Sequence, residues 1–92
     1  MITESKFRSL VSDVFDRVWD KDGWEVAFET ELEKELKKID SSLMHRTIFF
    51  NDDTDVNDNI EDLLSSLEIV YARCYYYGNV ILSILCTEVQ DG

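Results

Sequence analysis

Apolar residues Phe7, Leu10, Val11, Val14, Phe15, Val18 and Trp19 recur at steps of three and four, a period that predicts an amphipathic N-terminal helix with this stripe turned to the core. Thr3 is placed to cap it, Glu4 falls in its first turn, and Gly23 is placed to stop it in a left-handed conformation. Asp13, Asp16 and Asp20 lie along the opposite ridge, interrupted by Arg17. Residues 24–43 carry two periods at once. Trp24, Phe28, Leu32, Leu36, Ile39 and Leu43 follow helical spacing, while Trp24 to Glu33 also alternates as a strand would. Helix is predicted for most of the stretch, because the run from Glu33 to Lys38 makes a poor strand and Glu33 with Lys37 is a favourable pair four apart. A short strand at its beginning stays open.

Thr47-Ile48-Phe49-Phe50 is β-prone, and Asn51 to Asp55 reads as a polar loop. Asp58 with Glu61 three residues on predicts a helix start, with Ile60, Leu63, Leu64 and Leu67 as its apolar side. From Ile69 the residues turn β-branched and aromatic. Ile69–Tyr77 and Val80–Val89 flank Gly78-Asn79, a pair that suits a tight hairpin. The rival is one continuous helix from 58 to 77 capped by Gly78. The pattern as a whole predicts an α+β fold: an N-terminal amphipathic helix, further helices, and a small antiparallel sheet ending in a C-terminal hairpin.

The chain has 92 residues, 45% of them hydrophobic, enough for one modest core, so residues 1–92 are expected to form a single domain. Its formal net charge is −11. That excess argues against direct binding to nucleic acid or an anionic membrane and calls for a basic partner. Residues 1–46 hold eleven acids and eight bases, whereas residues 47–92 hold nine acids and Arg73 alone. No apolar run is long enough for a membrane span, and the first ten residues lack the apolar run of a signal peptide. Two cysteines in so short a chain suit a reducing, cytoplasmic compartment better than a secreted one.

Candidate chemistry is sparse. His45 is the sole histidine, and no metalloprotease, nucleophile-elbow, phosphate-loop or paired-cysteine motif is present. A non-enzymatic protein without a cofactor is therefore expected, with His45 at the surface or boundary. A turn at Gly78-Asn79 would set Cys74 opposite Ser83 and Cys86 opposite Tyr71, too far to bridge. Asp53, Asp55, Asn57 and Ile60 fit positions of a calcium loop. Asp58 replaces its glycine and Leu64 its terminal glutamate, so a helix-capping loop is the better reading.

What remains is the carboxylates. At −11 unpaired acids repel one another, and a small domain that keeps them is expected to spend them on a partner. Three groups stand out: Asp13, Asp16 and Asp20; Glu25, Glu29 and Glu33, with Glu31 and Glu35; and Asp52, Asp53, Asp55, Asp58, Glu61, Asp62 and Glu68. Acids four apart on a helix are separated by about 6 Å, and alternate strand residues by about 6.6 to 6.8 Å. Phosphates on a DNA strand advance roughly 3.4 Å along the axis per nucleotide on a winding path, a step of similar size. Such rows would attract the cationic groove of a DNA-binding protein.

The run from Lys6-Phe7-Arg8-Ser9-Leu10 to Asp16, the segment Trp19-Asp20-Lys21-Asp22-Gly23-Trp24 and the overall acidity resemble the Arn anti-restriction proteins of T-even phages, small acidic DNA mimics of similar length. The resemblance covers the whole chain through general character rather than a diagnostic motif. It implies inhibition of a modification-dependent restriction nuclease of the McrBC type, with the nucleoid protein H-NS as another target, in the infected bacterial cytoplasm. It supplies no catalytic positions. Two further readings use other partners: an immunity protein against a basic nuclease toxin, and a calcium-binding module. A homodimer would lengthen the charged surface, with Tyr75-Tyr76-Tyr77 and the apolar run Val80–Leu85 as either its contact or simply core.

Overall fold

The computed structural model describes residues 2–51 and 54–87, with the backbone alone at 54–57 and 87. The order is α1 (Glu4–Val18), α2 (Trp24–Ile39), β1 (Leu43–Asn51), α3 (Thr54–Ser66), β2 (Tyr71–Tyr76) and β3 (Asn79–Thr87). The α+β class expected from the pattern is the one observed.

The Thr3 hydroxyl caps α1 by accepting from the Lys6 N–H at 3.1 Å, which satisfies one of the amide donors that a helix start leaves unpaired. The helix stops at Val18, short of Gly23. That glycine is left-handed, at φ 71°, but it serves as the N-cap of α2. The helical reading of residues 24–39 holds, and no strand forms at its start. Leu43, expected at the end of that helix, opens β1 instead. The reversal is built by Asp40, whose carboxylate accepts from the Ser42 N–H at 2.9 Å and the Ser42 O–H at 2.8 Å. Both bonds favour the charged form and hold the Asp40 pKa below the ordinary carboxylate value.

The sheet is antiparallel in the order β1-β3-β2. The run Val80–Leu85, apolar except for Ser83, is thus the central strand, with Val80, Ile81, Leu82 and Ser83 fully buried. It is core, not an edge for pairing, and its lack of alternation follows from cover on both faces. Ala72, Cys74 and Tyr76 share one face with Ile81, Ser83 and Leu85; Arg73 and Tyr75 share the other with Val80 and Leu82. α1 and α2 pack on the first face, joining Phe7, Val11, Val14, Phe28, Leu32 and Leu36 to Ala72 and Ile81 in one cluster. α3 stands on the second, where Arg73 holds Glu61.

Three expectations shift. α3 begins at Thr54, so Asp58 lies inside the helix rather than capping it, and Asp55 and Asn57 sit on a helix where a calcium loop would need open backbone. Of the apolar side expected for α3, Leu64 is buried, but Leu63 and Leu67 are 58% and 59% exposed. The hairpin turns at Tyr77-Gly78, not Gly78-Asn79: Tyr76 pairs with Asn79, and both loop residues have positive φ, 42° and 76°, as a type I′ turn requires. Cys74 therefore faces Ile81, Tyr71 faces Ile84 and Cys86 faces Met44. A tyrosine in left-handed backbone is unfavourable. The register is held from elsewhere by Tyr76, whose ring lies tilted at 4.8 Å from Trp24 and edge-on at 6.1 Å from Phe15 and 6.4 Å from Trp19, aromatic contacts each stabilising by about 0.5–1.5 kcal/mol beyond area burial.

α3 ends in a Schellman arrangement. The Ile69 N–H bonds the Leu64 carbonyl at 2.9 Å and the Glu68 N–H bonds the Ser65 carbonyl at 3.1 Å. Glu68 occupies the left-handed position, φ 58°, where glycine is usual.

Candidate functional site

Asp13 and Asp16 stand exposed on α1; Asp20, beyond the helix end, is exposed in the turn toward α2. Glu25, Glu29 and Glu33 form an exposed row on α2 at steps of four. Their partners of the sequence reading do not join it. Glu31 lies 3.8 Å from Lys34, and Glu35 is held between Lys38 at 3.3 Å and Arg17 at 3.9 Å. Both are half-buried. The separation is helical geometry: Glu25, Glu29 and Glu33 flank one side of the buried stripe, Glu31 and Glu35 the side turned to α1.

The third group is divided. Asp52 and Asp53 lie outside the described residues, and Asp55 is described by its backbone only. Asp58, Asp62 and Glu68 are exposed. Glu61 is bound by Arg73, which also lies over the Tyr75 ring at 4.9 Å. The single base of the second half, 12 residues away along the chain, neutralises an acid that sequence spacing left bare. Among the described residues no cation lies within salt-bridge distance of Asp13, Asp16, Asp20, Glu25, Glu29, Glu33, Asp58, Asp62 or Glu68.

Other candidate chemistry resolves into structure. His45 is half-buried and stitches α2 to β1: Nε2 lies 3.1 Å from the Glu29 carbonyl and Nδ1 lies 2.9 Å from the Thr47 hydroxyl, which continues to Ser83 Oγ at 3.1 Å. These contacts satisfy the buried Ser83 hydroxyl. Cys74 and Cys86 are free thiols on opposite faces of the sheet. Burial, helped by the nearby Asp16 charge, pushes the Cys74 thiol pKa up, which disfavours the thiolate. Among the described residues no three His, Cys, Asp or Glu side chains gather as a metal site, and no helix is long and apolar enough to cross a membrane.

The sequence reading missed one feature. Where the α1–α2 turn meets the β2–β3 hairpin, a cleft of about 510 Å³ is lined by Trp19, Asp20, Asp22, Glu25, Tyr76 and Tyr77, among others. The three consecutive tyrosines, read as one cluster, divide, although Tyr76 and Tyr77 keep an edge contact at 4.8 Å between ring centroids. Tyr75 faces the α3 side, Tyr76 enters the aromatic core and Tyr77 projects from the turn, 80% exposed. Strand alternation would have split the first two; the positive φ that ejects the third follows only from the turn.

Compared with known protein families, characterised proteins and solved structures, the chain gives no match.

Proposed function

We propose that the protein is a stoichiometric inhibitor that occupies the DNA-binding surface of a basic bacterial protein by presenting carboxylates in place of phosphates. The observation that carries this reading is the pair of exposed rows without a cation at salt-bridge distance among the described residues, Asp13 and Asp16 on α1 with Asp20 just past its end, and Glu25-Glu29-Glu33 on α2, the two helices anchored by a buried stripe. Helices fixed over a packed core hold charges at constant spacing, about 6 Å between residues four apart, so the partner's Lys and Arg meet an array already ordered, as on duplex. The 41 Å long axis matches about twelve base-pair steps of roughly 3.4 Å. No catalytic group is needed. Charge-assisted pairs form quickly and weaken with salt.

The resemblance to Arn proteins makes a McrBC-type nuclease and H-NS the first targets to try. The test is displacement of a labelled duplex from each. The protein should release the duplex, less effectively as salt rises. Neutralising Asp13, Asp16, Asp20, Glu25, Glu29 and Glu33 together should weaken displacement at least about tenfold, since exposed pairs contribute about 0.2–1 kcal/mol each, with circular dichroism unchanged. Failure to displace duplex from any DNA-binding protein, with tight binding to one nuclease toxin, would replace the mimic by an immunity protein.

A further inference from the structure

We propose that the cleft between the α1–α2 turn and the β2–β3 hairpin receives an arginine side chain of the partner. Its guanidinium would lie against the Trp19 and Tyr77 rings, with Asp20, Asp22 and Glu25 supplying the counter-charge. The inference rests on the partner being basic, as in the reading above, and names one of its contacts.

Three observations converge. The first is aromatic surface at the rim of an otherwise buried cluster: Trp19 is 38% exposed and Tyr77 80%, while Trp24 and Tyr76 beneath them are packed. The second is charge. Asp20, Asp22 and Glu25 line the same cleft against one base, Lys21, and none of the three carboxylates has a cation at salt-bridge distance among the described residues. The third is Tyr77 itself, a bulky residue held in left-handed backbone without being buried. Its ring meets Tyr76 edge-on, 4.8 Å between centroids, and the rest of it stands open to a contact outside the fold.

Arginine fits this combination better than lysine. Its guanidinium is planar and weakly hydrated, so one side chain can stack on a ring and bond a carboxylate together; an ammonium is compact and strongly hydrated and gains little from the rings.

Trp19 and Trp24 are the two tryptophans of the chain and both line the cleft, so intrinsic fluorescence reports on it directly. The probe is a blocked Gly-Arg-Gly tripeptide, with blocked Gly-Lys-Gly as control, titrated at constant ionic strength. The arginine peptide should give a saturable change at an affinity about fivefold or more above that of the lysine peptide. Tyr77→Asn supplies the Asn–Gly pair that type I′ turns favour, so it should keep or raise the melting temperature while lowering arginine-peptide affinity at least about threefold. Equal responses to the two peptides, or undiminished arginine binding by Tyr77→Asn, would overturn the proposal. Duplex displacement by the wild-type protein without an arginine-selective response would remove the cleft and leave the mimic standing. An arginine-selective response without duplex displacement would do the reverse.

Discussion

On one face of the sheet α1 and α2 bury nine apolar side chains, from Phe7 to Leu36; on the other, α3 buries Leu64 and leaves Leu63 and Leu67 in water. All three helices carry an amphipathic pattern. The difference lies in what each meets. α1 and α2 share a groove with each other and face Ala72, Cys74, Tyr76 and Ile81 of the sheet. Among the described residues α3 has no partner helix on its face, and the strand residues there include Arg46, Arg73 and Tyr75. A stripe of leucines is buried only as widely as the surface opposite it is apolar; among the described side chains of α3, Leu64 is buried, Ile60 is half-buried and Glu61 pairs with Arg73. The rigid carboxylate rows stand on the well-packed side, where an array of fixed charges needs its footing.

This contrast can be broken most directly by cavity-forming substitutions. Phe28→Ala should cost about 3–5 kcal/mol, a large share of the roughly 5–15 kcal/mol that holds a domain folded, and urea denaturation should show it. Leu64→Ala should cost less, about 2–3 kcal/mol, and hydrogen exchange should find α3 amides opening before those of α1 and α2. Equal losses from the two variants would mean that both faces are packed alike. Next in size is Glu68→Gly. Relieving the left-handed backbone should raise stability by about 0.5–1 kcal/mol, reduced from the full strain by the greater freedom of glycine in the unfolded chain. A loss would show that the Glu68 carboxylate supports α3.

Leu63→Ser with Leu67→Ser should stay within about 0.5 kcal/mol; a much larger loss would put these leucines in a buried contact. The smallest effect is one of pH. Because the folded Asp40 pKa is lowered, its contribution is present above the ordinary carboxylate range and is lost as pH falls through the folded value. Asp40→Ala should remove that dependence from the acid arm of the stability curve, as thermal melts from neutral to acid pH would show.

The element that sequence made most legible was the one whose pattern had a single period: α1 and its Thr3 cap stand where spacing put them. α2 formed although its first turns carried two periods, and the hairpin formed with its turn one residue earlier than spacing suggested. Boundaries moved where a local signal met a stronger one: Asp58 carried the marks of an N-cap, yet the helix starts at Thr54, and Gly78-Asn79 suited a turn, yet aromatic packing around Tyr76 drew the turn onto Tyr77. Among the candidate acids, spacing identified the rows on α1 and α2 but not which acids were already taken. Glu35 and Glu61 are paired with Arg17 and Arg73 from other elements, contacts that no spacing within one helix reveals.

The amino-acid order alone determined the negative charge, the helical stripes and the presence of a β hairpin, because these depend on residue type and on neighbours a few positions away. Tertiary structure decided which carboxylates remain free, why the run Val80–Leu85 is a central strand, and how Trp19 and Tyr77 come to share a cleft with Asp20 and Glu25. Those outcomes depend on distances between elements far apart in the chain, which are set only when the helices and strands pack against one another.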